Sequence, residues 1–279
     1  MLIWEIDFYR RPLQDTTGNP LWELVICDNQ GQLKFTTTCP QAKANSDWIK
    51  EQLQQLFAKG SPKPDQVRIF RPQSVSLVEK ACQNWGIAVE PTRRTPLLKQ
   101  FLKNLSKDYS GLPGFTNQPY DPIHLEPPPP LPLNQDLWGE QWRFAAIAAT
   151  DLYTLFTERM IPILDTPESL LPLNLNLAST ALVPGIVIDG GRKSMQLARW
   201  IAEVQPVALN YASGDPDGLI LEVGLVDRWV VATFQDADVR RAAQSYEQRK
   251  QQSAGLHFLL VQPDDSGMTY TGFWILRNE

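Results

Sequence analysis

The residues best suited to chemistry gather between positions 63 and 107. That stretch carries nine Lys or Arg residues against Asp65, Glu79 and Glu90, a local balance of about +6 in a chain whose formal net charge is -5. Arg71, Arg93 and Arg94 offer planar guanidinium forks that donate two aligned bonds to a phosphate. Lys99, Lys103 and Lys107 recur every four residues, which places them on one stripe of a helix. This is the chemistry of polyanion binding. A solvated lysine face is the competing reading.

Other constellations point elsewhere. A metal-dependent nuclease of the ribonuclease H type clusters carboxylates around two cations about 3.5–4 Å apart. Asp7 on the first strand and Glu51 on the first helix suit two of its three positions. The third, at the end of the fourth strand, reads Phe70-Arg71-Pro72, so the acid is missing. Asp189-Gly190-Gly191-Arg192-Lys193-Ser194 sets glycines and cations where a strand passes into a helix, and backbone N–H groups there can bind an anion. It lacks the length and residue order of a nucleotide P-loop, and a tight turn with Ser194 as N-cap is the plainer reading. Gly272-Phe273-Trp274-Ile275-Leu276-Arg277 sets aromatic faces beside a cation, as sites for unstacked bases do. Burial of Trp274 in its own core is the alternative. His124 and His257 are far apart, and Cys27, Cys39 and Cys82 form no CxxC pair, so neither a metal site nor a cofactor is expected.

Composition sets the frame. A hydrophobic content of 43% with nine Trp and eleven Phe supports real cores, and 279 residues suit two ordinary domains. Overall acidity argues against a protein that coats nucleic acid without selectivity, yet allows one basic patch. The three dispersed cysteines are expected to be reduced and buried. The first residues lack a basic segment followed by an apolar core, so no signal peptide is expected, and no apolar run approaches the ~20 residues of a membrane span.

The elements that must position these residues follow from periodicity. Residues 1–9 alternate and predict a half-buried strand, followed by strands at 21–27 and 33–38 around the turn Asp28-Asn29-Gln30-Gly31. Ser46-Asp47 is expected to cap a helix burying Ile49, Leu53, Leu56 and Phe57. A strand at 67–70, a helix with Val75, Val78, Cys82 and Trp85, a strand at 87–89 and a helix from Pro96 complete the order βββαβαβα with a mixed sheet. That is the order of a ribonuclease H-like fold. It says nothing yet about activity. Residues 120–134 contain Pro-Pro-Pro-Pro and predict an extended linker. Beyond it, a long helix is expected from Trp142 through Phe156 to Met160. Further on come a strand at 185–188, a helix with Leu197, Trp200, Ile201 and Val204, strands at 207–211, 219–225 and 229–234, a helix opened by Asp236 and Asp238, and strands at 256–261 and 269–276. The fold class is therefore α/β to α+β in two domains: a ribonuclease H-like domain over 1–118, a proline-rich linker over 119–136, and a mixed αβ sheet domain over 137–279.

The chain resembles the Tab family of A/U-rich RNA-binding proteins of cyanobacteria and plastids. The resemblance rests on Trp4-Glu5-Ile6-Asp7-Phe8-Tyr9-Arg10-Arg11-Pro12, Leu21-Trp22-Glu23-Leu24-Val25-Ile26-Cys27-Asp28, Arg68-Ile69-Phe70-Arg71 and Thr92-Arg93-Arg94-Thr95. At the C-terminus it adds Gly255-Leu256-His257-Phe258-Leu259 and Gly272-Phe273-Trp274-Ile275-Leu276. It thus covers essentially the whole chain. It implies RNA-binding factors that promote translation of photosystem messages, with protein partners in the translation or thylakoid assembly machinery. It also implies a cytoplasmic location peripheral to thylakoid membranes. The plastid members' terminal Trp-Leu-Leu is implicated in RNA binding; Trp274 and Leu276 match its ends and Ile275 departs at its middle. On this reading Arg71, Arg93, Arg94, Lys99 and Lys103 contact phosphates, while Trp274, Ile275 and Leu276 pack on bases. A metal-dependent nuclease and a protein-interaction scaffold are the alternatives.

Overall fold

The first strand, β1 (Ile3–Gln14), is buried on both faces rather than one. A computed structural model describes residues 1–278, and Phe156 and Thr157 without their side chains. Phe156, expected on the helix after the linker, therefore lies outside the described side chains. After β1 come β2 (Pro20–Asp28), β3 (Lys34–Pro40), α1 (Ser46–Ala58), β4 (Gln66–Ile69), α2 (Pro72–Cys82), β5 (Ala88–Pro91) and α3 (Pro96–Asp108). The strands form one mixed sheet in the order β3-β2-β1-β4-β5, antiparallel from β1 to β3 and parallel from β1 to β5.

Alternation along β1 sends Trp4, Ile6 and Phe8 to one face, where Ile49 and Leu53 of α1 and Val78 and Cys82 of α2 close a core. The other face carries Glu5, Asp7, Tyr9 and Arg11. It was expected to meet solvent, but α3 returns over it, packing Leu98 and Leu102 on Val25, Cys27 and Phe70. Helix α1 is capped by Asn45, whose side chain accepts from the Trp48 N–H at 2.9 Å, one residue before the expected Ser46-Asp47. The turn after α2 ends at Gly86, whose φ of 64° suits a residue without a Cβ.

The chain divides into two units, Met1–Glu126 and one that begins at Pro127. That boundary falls inside the expected linker over 119–136, both ends of which make ordered contacts. Tyr120 to His124 bond within the first unit, while β6 (Leu131–Pro132) joins a sheet of the second.

The second unit continues with β7 (Gln141–Ala148), α4 (Ala149–Thr157), β8 (Ile163–Asp165), β9 (Leu182–Asp189), α5 (Ser194–Val204), β10 (Pro206–Ala212), β11 (Asp217–Val223), β12 (Asp227–Phe234), α6 (Ala237–Gln252), β13 (Leu256–Gln262) and β14 (Gly272–Arg277). Two sheets result, β10-β11-β12-β6 and β7-β9-β13-β14-β8. The class is mixed α and β in both units. The long helix expected from Trp142 is a correction: its first half is β7, antiparallel to β9. Trp142 and Phe144 fall on one side of that strand with ring centroids 5.4 Å apart, as period-2 neighbours do. The intervening alanines fit either period, and pairing with β9 decides between them.

Strand β14 lies between β13 and β8, and both of its faces are covered. Trp274 and Leu276 join the core of Ile186, Leu197, Ala198 and Leu209, and Ile275 joins that of Val187, Phe258 and Phe273. A Cβ on Gly272 would stand 2.3 Å from the Trp274 ring, so the backbone there is shaped around the indole. The expectation that these three side chains pack on RNA bases is therefore corrected: Trp274, Ile275 and Leu276 are each 1% exposed. Trp274→Ala should cost about 3–5 kcal/mol in urea unfolding, the usual result of emptying a core indole site. A variant that kept native stability while losing RNA affinity would contradict this placement.

Candidate functional site

On the α3 side of the first sheet, spacing of two along β1 puts Asp7, Tyr9 and Arg11 on one face, and Glu23 stands opposite Tyr9 on β2. Arg71 enters the same space from the N-cap of α2. Arg11 Nη2 donates to Asp7 Oδ2 at 2.8 Å and its Nε to Glu23 Oε2 at 2.8 Å. Arg71 Nε donates to Asp7 Oδ1 at 2.9 Å. Tyr109 Oη donates to Glu23 at 2.6 Å, and Arg11 Nη1 to Tyr120 Oη at 2.8 Å. Burial opposes the Arg11 charge, but Asp7, the two tyrosines and Glu23 outweigh it and raise its pKa. Burial raises the Tyr109 and Tyr120 hydroxyls, so Tyr109 keeps its proton as a donor to Glu23 and Tyr120 is an uncharged acceptor from Arg11.

Arg71 was expected on phosphate. It is 3% exposed, its guanidinium lies 4.0 Å over the Tyr9 ring, and its Nη2 and Nη1 donate to the carbonyls of Pro122 at 2.8 Å and His124 at 3.2 Å. Its donors are committed inside the protein. The same geometry speaks against a nuclease centre. Both Asp7 oxygens face guanidinium groups, and the place of a third acid is taken by Arg71 itself. Glu51 is exposed on α1, which packs on the opposite face of the sheet. The carboxylates that would share a cation are not brought together.

Helix α3 carries the lysine series, and its members have different fates. The Glu5 carboxylate accepts from the Leu98 N–H at 2.7 Å, occupying the helix N-terminus that a phosphate could have used. Burial raises the Glu5 pKa. Lys99 is 8% exposed, and its ammonium donates to the Arg93 carbonyl at 2.6 Å. Burial, then the neighbouring Arg93 charge, pushes its pKa down to about 7. Lys99 was expected on phosphate; its ammonium instead lies inside the unit, on the Arg93 carbonyl. Arg93 is half-buried, and Arg94, Lys103 and Lys107 are exposed. Lys34 on β3 adds a cation that sequence spacing could not associate with them; it lies 5.8 Å from the half-buried Phe101 ring of α3.

A polar groove of about 650 Å³ opens beside the Asp7 network, with Arg10, Gln73, Gln118 and His124 along it. These residues are scattered over more than a hundred positions, and only the fold assembles them. In the second unit the glycine turn is a structural turn. Asp189 is held by Arg143 at 2.7 Å and by Gln262 at 2.8 Å, and the N–H groups of Gly190 and Gly191 donate to the carbonyls of Gln262 and Pro263. A Cβ on Gly191 would meet the Glu140 carboxylate, so an acid already stands over this turn. Lys193 occupies the N-cap of α5 without a side-chain bond, and Ser194 lies inside the helix instead of capping it. His257 is a core residue: its Nε2 accepts from the Leu209 N–H at 2.9 Å, and burial holds its pKa down to about 3. Burial also pushes the Cys27 and Cys82 thiols up to about 12 and Cys39 to about 11, which makes all three poor nucleophiles.

The family of the RNA-binding protein Tab2/Atab2 matches this chain twice, its N-terminal domain over residues 3–105 and its C-terminal domain over residues 120–277. The chain belongs to the Tab2/Atab2 family of RNA-binding proteins. Among its relatives, the chloroplastic TAB2 homolog of Arabidopsis thaliana is 31% identical over 279 residues, covering 98% of this chain and 74% of that protein. The chloroplastic TAB2 homolog of Zea mays is 32% identical over 278 residues, with 98% and 70% covered. Among solved structures, the HTLV-2 integrase catalytic core domain with magnesium aligns at 18% identity and a TM-score of 0.25, over 40% of this chain and 75% of that one. That score is too low to bear on the fold. The N-terminal match lies within the first unit, and the C-terminal match starts at Tyr120, in the last residues of that unit, and runs through the second, so the family's sequence pattern spans the Asp7 network and the buried β14 alike.

Asp7→Asn removes one charge from a buried network and should cost about 3–5 kcal/mol in chemical unfolding, because Arg71 loses its carboxylate partner and Arg11 keeps Glu23 but loses Asp7. A cost under about 1 kcal/mol would mean the network is hydrated. For Lys99, the folded pKa lies below the ordinary 10.5, so between about pH 7 and 10.5 the unfolded chain binds the extra proton. The penalty stands in full below pH 7 and fades as pH rises. The stability of Lys99→Met relative to the native protein should therefore be most favourable at pH 6 and decline steadily towards pH 10. A difference independent of pH would overturn the assignment.

Proposed function

We propose that this protein binds single-stranded, A/U-rich RNA without cleaving it, and that it promotes translation or assembly of photosystem components. The family match across both units carries the RNA-binding part of this reading. The exposed cations of α3 and its approach supply a surface for it: Arg93, Arg94 and Lys103 contact phosphates, with Lys107 and Lys34 extending the series. Half-buried Phe101 beside Lys34 offers an aromatic edge next to a cation, the pairing that suits single strands. Arg71 and Lys99 act from beneath, by fixing the backbone that presents these residues.

We read the first unit as ribonuclease H-like. The strand order β3-β2-β1-β4-β5, with β1 antiparallel to β2 and parallel to β4, supports that reading. So does Asp7 at the middle of β1, now paired with arginine where a nuclease would hold metal. This is a fold of nucleic-acid enzymes turned to binding. The chloroplastic relatives support action in a photosynthetic compartment, alongside protein partners of the translation or thylakoid assembly machinery. Among the described residues no helix is long and apolar enough to cross a membrane.

The test is the affinity for an A/U-rich single strand at two salt concentrations. Binding should weaken steeply with salt, and Arg93→Ala/Arg94→Ala should reduce the log–log slope by about one to two units, the loss of two phosphate contacts. The RNA should stay intact in magnesium. Unchanged affinity and slope in the double variant would remove this surface from the site, and absence of binding by the native protein would remove the function.

A further inference from the structure

The second unit contains an apolar cavity unrelated to any of these cations. Its volume is about 110 Å³, and it is bounded by both sheets and by α5. Leu197 and Ile201 of α5 form one wall; Leu209 and Leu221 from one sheet face Ile186 and Leu259 from the other. An engineered cavity of about 150 Å³ with a similar lining stays dry and takes up benzene. The space here is of the same order.

Polar side chains confirm its character. The Trp138 indole N–H, at the mouth, is already committed to the Leu133 carbonyl at 3.0 Å, so it presents no donor inward. Gln141 and Thr233 also line the site, and both are exposed, which puts their polar ends at the rim. A water molecule inside would find too few partners. A nucleobase would lose the hydrogen bonds of its edges for nothing in return, so this cavity is not a base pocket. Trp138 is 51% exposed and lines the cavity, so its ring borders both the solvent and the interior.

We propose that this cavity is a binding site for a small apolar molecule or apolar group of about the size of benzene, independent of RNA binding. Trp138, Trp142 and Trp200 line it, so occupancy should alter tryptophan fluorescence directly.

The probe is benzene, added to the full chain at about 10 mM. With a dissociation constant near about 1 mM, it should raise the melting midpoint by about 2–4 °C and change tryptophan emission with the same concentration dependence. Ala232→Phe, which fills the cavity from β12, should abolish both effects. Methyl NMR of the native protein needs no variant: benzene should move the resonances of Leu197, Ile201 and Leu221. No change in midpoint or methyl shifts, equal responses in the filled variant, or methyl shifts confined to other residues would each overturn the proposal.

Discussion

The first unit depends on the pairing of two buried arginines with two buried acids. Taking a guanidinium out of water is tolerable only if its charge and its donors are met. Arg11 meets Asp7, Glu23 and Tyr120; Arg71 meets Asp7, two carbonyls and the face of Tyr9. Strand β1 supplies Asp7, Tyr9 and Arg11, which is why it is central and covered on both sides. The network reaches beyond the sheet as well. By binding the carbonyls of Pro122 and His124, Arg71 draws the segment after α3 into the unit, so the first unit extends to Glu126.

The same pairing decides the chemistry available. A carboxylate can bind a catalytic cation only through lone pairs that nothing else occupies, and those of Asp7 point at guanidinium groups. Arg71, just past the end of β4, sets a positive charge directly against Asp7. What is left on the surface is a set of cations around α3.

Burial also separates residues that look alike in the chain. Lys99 and Lys103 are one helical turn apart, yet Lys99 lies where the start of α3 meets Glu5 and Phe70, and Lys103 lies where the helix faces water. The second unit repeats the lesson with Lys250, 2% exposed, whose ammonium donates to Leu209 O at 3.0 Å, Asn210 at 2.7 Å and Glu247 at 2.7 Å. With His257 it ties α6 to β10 and β13. Lys250, like Lys99, is an internal fastener, whereas Lys103 and Lys107 of α3 are exposed.

The sequence by itself determined the order of strands and helices in the first unit, because alternation and helical spacing are local signals that survive whatever packs on them. It also determined the family, through short segments such as Trp4-Glu5-Ile6-Asp7 and Thr92-Arg93-Arg94-Thr95 kept in order along the chain. It marked the basic stretch, since charge is visible without a fold. Only the tertiary structure decided which cations face outwards, because exposure is set by elements distant in sequence: α3 over Asp7, and residues 120–124 over Arg71. It made a strand of residues 141–148, whose alanine-rich pattern fits two periods until β9 pairs with it. It placed Trp274 inside, because β14 has neighbours on both edges and packed side chains on both faces, and no local pattern reports how many layers lie above a strand.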